Sequence, residues 1–450
     1  MKMKALESLP VPSRQLPVAG STESRPTPDA AFSGGACSSG GASVLTSRSE
    51  VPSFKIQVSS TLAGFKLESS NFKLSFKLLF VLLLGFSASA QDFRPPLTTP
   101  DGFAVPQPGR SFSFPRDHGS HDGFKVEWWY VTGHLEAAGG RTFGFQVTFF
   151  RNLGPSPTPA VSSHPSFAHA PIHLGHCALL DVRNNRFLHQ SRINREGWDA
   201  GASRETLDVR NGNWSLAFAP GSTNRLLLNG GVQADAGIRL ELTPSKPLVA
   251  FGTNGVSRKA TTPTAASHYL TFTRLAATGE VRVGSEVVPV TGIAWMDHEF
   301  SSSQLEPGQA GWDWACLQLD DGTEAMAYRM RRDDGTTDPF STFAWVGADA
   351  RPRHFGPDRF RWEPISTWTS PITGARYPNR VRITAPSATS GPDRVLELEP
   401  LFDAQELLDP LGGVAYWEGA CRVKDPQGRV LGKAYLELTG YIGRLQEKFK

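Results

Sequence analysis

From about residue 100 onward, apolar and polar side chains alternate in short runs broken by Gly, Asp and Pro. A period of two predicts half-buried β-strands, and two such runs joined by a tight polar turn predict a hairpin. Residues 127–151, EWWYVTGHLEAAGGRTFGFQVTFFR, form two aromatic-rich runs around Ala-Gly-Gly, and residues 311–332, GWDWACLQLDDGTEAMAYRMRR, turn at Asp-Asp-Gly. Residues 269–295 read as a meander with turns at Ala-Thr-Gly and Gly-Ser-Glu, and residues 420–443 turn at Asp-Pro-Gln-Gly. Helical periods are scarce; only the segment RLQEKFK at 444–450 predicts a short helix.

The runs pair up in order. Trp128 precedes Leu135-Glu136, and Trp312 precedes Leu319-Asp320, each followed by a Gly turn and a strand ending near an Arg. IRLELTPSKPL (238–248) echoes RVLELEPLFDA (394–404), and PVTG (289–292) echoes LELTG (436–440). The pattern predicts an all-β protein made of a duplicated unit, residues 91–301 and then 302–450. Each copy is expected to be an antiparallel meander closed or nearly closed into a barrel, because closure removes exposed sheet edges. A barrel of roughly eight strands has room inside for one small apolar ligand.

Residues 72–90, FKLSFKLLFVLLLGFSASA, combine Lys73 and Lys77, an apolar core and the small-residue site Ala88-Ser89-Ala90. That is the pattern of a Sec-type signal peptide (71–90), too short to span a membrane as a helix. Residues 1–70, rich in Ser, Gly and Pro, read as a disordered extension or an upstream-misplaced start. The net charge of +3 comes from this region. Residues 1–90 hold 9 of the 46 basic and 5 of the 43 acidic residues, leaving 37 against 38. A near-neutral remainder excludes nucleic-acid binding through a basic surface. No later run is long enough for a transmembrane helix, so the expected location is the periplasm or the exterior. Cys177, Cys316 and Cys421 match no zinc spacing and are expected mainly as small buried hydrophobes, with one disulfide open to them.

Chemistry gathers at three places. Trp128, Trp129, Tyr130, Trp312 and Trp314 crowd the start of each copy, and neighbouring positions of a strand point to opposite faces. Two readings stand: core plus domain interface, or the wall of an apolar pocket. Histidines cluster at HGSH (118–121) and at HAPIHLGH (169–176), but no template for a metal appears and none is expected; His176 opens an apolar strand. In VTGIAWMDHEFSSS (290–303), Asp297 shares a strand face with Trp295 and Glu299. A carboxyl beside an indole in an apolar setting has its charged form disfavoured and can remain a proton donor. His268 opens the preceding strand and is expected to be brought near by pairing. The other reading is a rim turn carrying solvated or salt-bridged charge.

The motifs EWWYVTGHL, GHCALLD, SHYLTFTRL, GIAWMDHEFSSS and GWDWACLQLDDG, in order across roughly 110–445, resemble the secreted AttH proteins. These group with the carotenoid 1,2-hydratases (hydroxyneurosporene synthases) in a lipocalin-like superfamily. The resemblance implies two lipocalin-like β-barrel domains side by side, export, and an association with an ABC transporter permease. In the hydratase branch an acid protonates an isoprenoid double bond; Asp297 matches that acid and His268 a nearby functional histidine. This chain departs at Trp295, where that branch has Tyr, and at Leu270, where it has an aromatic. Phe300 stands where AttH proteins have Trp. Three functions are therefore carried forward. One is a carrier for an apolar lipid- or isoprenoid-like ligand, walled by Trp128, Trp129, Tyr130, His176, Tyr269, Trp295, Glu299, Trp312 and Trp314. The second is an acid-catalysed hydratase or isomerase using Asp297 and His268. The third, a secreted hydrolase, lacks a Gly-x-Ser-x-Gly motif after residue 90. No cofactor is expected.

Overall fold

A computed structural model describes residues 93–154, 170–233, 236–411 and 413–443. The signal-peptide, N-terminal-extension and C-terminal-helix expectations, and His164 and His169, lie outside these residues.

The first sheet contains β1 (Val126–Ala137), β2 (Arg141–Asn152), β3 (Ile172–Asp181), β4 (Arg186–Arg195), β5 (Ala200–Ala202), β6 (Asp208–Asn211) and β7 (Trp214–Phe218). It continues with β8 (Leu226–Val232), β9 (Ala236–Pro244), β10 (Val249–Phe251), β11 (Ser257–Arg258), β12 (Ala266–Val283) and β13 (Glu286–Ser303). The second contains β14 (Gln309–Leu319), β15 (Glu324–Arg332), β16 (Thr342–Val346), β17 (Pro352–Phe355), β18 (Arg361–Thr369) and β19 (Arg376–Ala385). Its last strands are β20 (Arg394–Pro400), β21 (Glu406–Asp409), β22 (Val414–Lys424) and β23 (Val430–Leu438). The order 4-3-2-1-13-12-9-8-7 in the first sheet is repeated as 17-16-15-14-23-22-20-19-18 in the second, all antiparallel. Two near-closed lipocalin-like sheets thus stand side by side. No helix among the described residues is long and apolar enough to cross a membrane.

The hairpin turns at 138–140, 320–323 and 425–428 fall where the alternation breaks. Ala277-Thr278-Gly279 does not turn: it lies inside β12, paired with Leu242, Glu241 and Leu240. Glycine is needed there because a Cβ on Gly279 would lie 2.0 Å from the Arg239 carbonyl oxygen.

The repeat also has a different register from the PVTG–LELTG echo. Tyr130 pairs with Asp297 and Trp314 with Glu437; Leu135 pairs with Gly292 and Leu319 with Gly432. VTGIAWMDHE (290–299) therefore overlies VLGKAYLELT (430–439). A Cβ on Gly292 would lie 2.0 Å from the His134 carbonyl oxygen, and one on Gly432 2.4 Å from that of Gln318. Close backbone approach, not a turn, fixes both glycines.

Each barrel is filled. Trp129, Phe143, Phe145, Phe149 and Trp214, all almost fully buried, occupy the inside of the first. Each such side chain contributes roughly 1.5–3 kcal/mol by leaving water. The expectation of a ligand inside the barrel meets a packed interior at these positions. Alternate residues of the same strands face the other barrel: Tyr130, Tyr269, Trp295, Trp314, Tyr328 and Tyr435 make one buried aromatic layer. Two equivalent clasps cross it. His134 Nε2 donates to the Ala434 carbonyl at 2.8 Å, and Gln318 Nε2 to the Ala294 carbonyl at 2.9 Å. The contact is isologous, as between two copies of one subunit.

Candidate active site between the barrels

Asp297 stands on the face of β13 that looks towards the second barrel, and Trp295 and Glu299 share that face. Thr271 Oγ1 and Trp295 Nε1 donate to Asp297 Oδ1, each at 2.7 Å; Tyr269 OH lies 2.8 Å from Oδ2. Trp314 Nε1, from the second barrel, donates to the Tyr269 hydroxyl at 2.9 Å. Indoles only donate, so both Trp contacts have a fixed direction. The Tyr269 and Thr271 hydroxyls can reverse: each donates to a charged Asp297 or can accept from a protonated one. Burial pushes the Asp297 carboxyl up to about 7, against the lowering effect of the Thr271 and Tyr269 hydrogen bonds.

The second barrel supplies the counterpart. Glu437 overlies Asp297, Trp314 overlies Tyr130, and Glu418 overlies Thr271. Tyr130 OH donates to Glu418 Oε1 at 2.6 Å, and its ring meets Trp314 edge-on at 5.4 Å. Burial, then the nearby Glu437, raises the Glu418 carboxyl well above its ordinary range. Burial raises Glu437 to about 8. Glu437 retains some exposure, so the effect carries more weight at Asp297, which is 3% exposed.

Glu299 is paired instead. It accepts from the Ser267 hydroxyl and lies 3.2 Å from Lys259 Nζ. Burial alone would lower the Lys259 ammonium; Glu299, Tyr328 and Asp297 together outweigh it, and the net direction is up. That ammonium lies 4.9 Å from the Tyr269 ring centre and 4.5 Å from that of Tyr328. Tyr328 also lines a cleft of about 730 Å³ with Phe93, Arg258, Phe340 and His354.

Not every expected residue joins this layer. Trp129 faces the interior of the first barrel, stacked on His298 at 4.8 Å. His268 also sits on the opposite face of the sheet from Asp297. It pairs with Phe300, its Nδ1 is 2.7 Å from the Gly255 carbonyl, and its ring packs on Phe112 and Phe300. Burial lowers it to about 4. The pleat explains the separation: Thr271, not His268, pairs with Asp297, so parity turns His268 away. His176 bridges the barrels elsewhere, with Nδ1 2.8 Å from Tyr416 OH and Nε2 3.1 Å from Asp409 Oδ2. Trp128 and Trp312 are partly buried at the edge of the aromatic layer. The three cysteines are buried and free. Glu437, Glu418, Thr271 and Lys259 were missed from the sequence; the 290–299 over 430–439 alignment carries the signal for Glu437.

A second polar group lies on the other face of β13, at the end of the first barrel. His121, Glu127 and His298 converge there and are the one group of described His, Cys, Asp and Glu residues spaced to hold a metal ion. Glu127 is held down at about 2: burial would raise it, but hydrogen bonds from His121 and His298 prevail.

The AttH-like family profile matches residues 105–441, spanning both barrels. A crystal structure described as an AttH from Nitrosomonas europaea is 35% identical, with a TM-score of 0.66, covering 76% of this chain and 100% of its own. Kievitone hydratase from Nectria haematococca shares the fold at 13% identity and a TM-score of 0.54, over 77% of this chain and 98% of its own. A search of curated proteins gives no match. With both barrels and the strand that carries Asp297 inside the matched region, this chain belongs to the AttH-like family.

Proposed function

We propose that the protein is an acid–base catalyst that adds water to, or shifts, a carbon–carbon double bond in an apolar, isoprenoid-like substrate. The observation that carries this reading is the enclosure of Asp297: a carboxyl sealed in an aromatic layer, with the Tyr269 and Thr271 hydroxyls as reversible hydrogen-bond partners. In the forward step Asp297, directly or through Tyr269, gives a proton to one alkene carbon. The cation forms on the adjacent carbon. The buried faces of Tyr269, Trp295 and Trp314 favour positive charge. For hydration, water forms the new C–O bond and returns a proton to the carboxylate; for isomerisation, a neighbouring C–H supplies it. Such positioned proton transfer accelerates reactions by about 10²–10⁴-fold. The hydratase fold of the Nectria protein is compatible with this chemistry.

The cleft beside Tyr328 supports entry of an apolar molecule from the side. Tyr328, Lys259 and Tyr269 separate it from Asp297, so turnover requires these side chains to move or the proton to pass through Tyr269. The same cleft favours a second reading, a carrier that binds without reaction. Export, and work beside an ABC transporter permease, belong to the proposal; sequencing the N-terminus of the exported protein and co-purification with the permease test them. The catalytic test is incubation with terminal and internal isoprenoid alkenes in H₂¹⁸O. Incorporated ¹⁸O, lost in Asp297→Asn with binding retained, supports the hydratase. Binding with no oxygen incorporation and no double-bond shift leaves the carrier.

A further inference from the structure

The geometry points to a divalent metal site, best matched to zinc, at the end of the first barrel, with His121 Nδ1, Glu127 Oε1 and His298 Nε2 as its ligands. It lies across β13 from Asp297 and does not rest on the catalytic reading. Glu127 Oε1 is 2.7 Å from His121 Nδ1 and 2.9 Å from His298 Nε2, and the three atoms lie within 4.8 Å of one another. Tetrahedral zinc with bonds of about 2.0–2.1 Å places its ligands about 3.3 Å apart. A shift of Glu127 by about half an ångström away from each ring brings its two distances to that spacing.

What surrounds the three atoms makes the case. His121 has a carboxylate on each nitrogen: Glu127 on Nδ1, and Asp117 Oδ1 on Nε2 at 2.9 Å. A neutral imidazole has a single N–H and cannot donate to both. A cation between Nδ1 and Glu127 satisfies both contacts without a second proton on the ring or on either carboxyl. With the cation, Nε2–H donates to Asp117, the carboxylate–histidine–metal arrangement that fixes a ligand's tautomer and orientation. Asp117 is itself held, accepting from Arg110 Nη2 at 2.9 Å and the Ser113 backbone N–H at 2.5 Å. The other Glu127 oxygen, Oε2, accepts from the His121 backbone N–H at 2.9 Å and faces Arg151 Nη1 at 3.4 Å. Stacking fixes the rings, His121 on Phe300 at 3.7 Å and His298 on Trp129 at 4.8 Å. Two histidines and one carboxylate leave a fourth position for water or a substrate atom. The site would tie the segment before β1 to β1 and β13.

The test uses full-length, tag-free protein from zinc-supplemented cells, prepared without chelators. We expect one zinc per chain by mass spectrometry of the metals. A chelator should lower the thermal midpoint and added zinc restore it. His121→Gln should lose the metal, whereas His268→Gln, a buried histidine outside the triad, should keep it. Should His121→Gln fail to fold, X-ray absorption of the wild-type zinc keeps the assignment testable: two imidazoles and a carboxylate support it, and sulfur ligands or water alone overturn it. Less than about a tenth of a zinc per chain, with no thermal response to added zinc, overturns it too.

Discussion

Asp297 and His298 are consecutive, yet they belong to different chemistries. Asp297 faces the second barrel, among groups that only donate or can reverse, in a layer with aromatic walls. His298 faces the barrel end, where Glu127 is surrounded by two imidazoles and Arg151. One site favours a neutral acid and the other a charged carboxylate. The difference comes from the pleat: side chains alternate, so three ionisable residues in a row are divided between two faces. The acidic-looking run at 297–299 is therefore neither a wet turn nor one cluster. Glu299 returns to the Asp297 face but is neutralised by Lys259.

The largest expected effect follows from Asp297. Asp297→Asn should reduce turnover at least about 10²-fold, measured once a substrate is found, while ligand affinity changes little. The two cross-barrel clasps come next. Removing either polar end, His134→Ala or Gln318→Ala, should cost about 1–3 kcal/mol by leaving a buried carbonyl unpaired. Denaturant unfolding should show a loss for both, and the larger one for Gln318→Ala, because Gln318 Nε2 also donates to the Thr273 carbonyl at 2.8 Å; a loss confined to one would break the symmetry of the interface. The last effect concerns Glu437, whose partial exposure lets solvent screen it. An acid raised in the folded state costs stability as pH climbs from its ordinary value to its folded one, here from 4.5 to about 8. Glu437→Gln should therefore match the wild type at pH 4 and melt higher at pH 9. Parallel melting curves at both pH values would show that Glu437 titrates normally.

Much of this was legible in the alternation of side chains: the hairpins at 127–151 and 311–332, the duplication, and the shared face of Trp295, Asp297 and Glu299. What was not legible depended on register between strands. His268 seemed a partner for Asp297, but a pairing that sets Thr271 opposite Asp297 turns it to the other face. PVTG matched LELTG by its Thr-Gly, whereas the glycines that correspond are Gly292 and Gly432, set by backbone proximity. The His121–Glu127–His298 group escaped because its members come from a loop and two strands, with its two strand residues 171 positions apart.

Both sites contain a carboxyl whose amide isostere has nearly the same shape, so one measurement weighs them against each other. The free energy of unfolding should be compared for wild type, Asp297→Asn and Glu127→Gln at neutral pH. An amide mimics a neutral acid: its oxygen accepts from Thr271 and Trp295, and its NH₂ donates to Tyr269. Asp297→Asn should be as stable as the wild type or more so, while Glu127→Gln should lose about 3–5 kcal/mol by leaving the buried Arg151 guanidinium without its charged partner. A comparable loss for Asp297→Asn would mean that Asp297 is a structural carboxylate, and the account of it as a proton donor would fall.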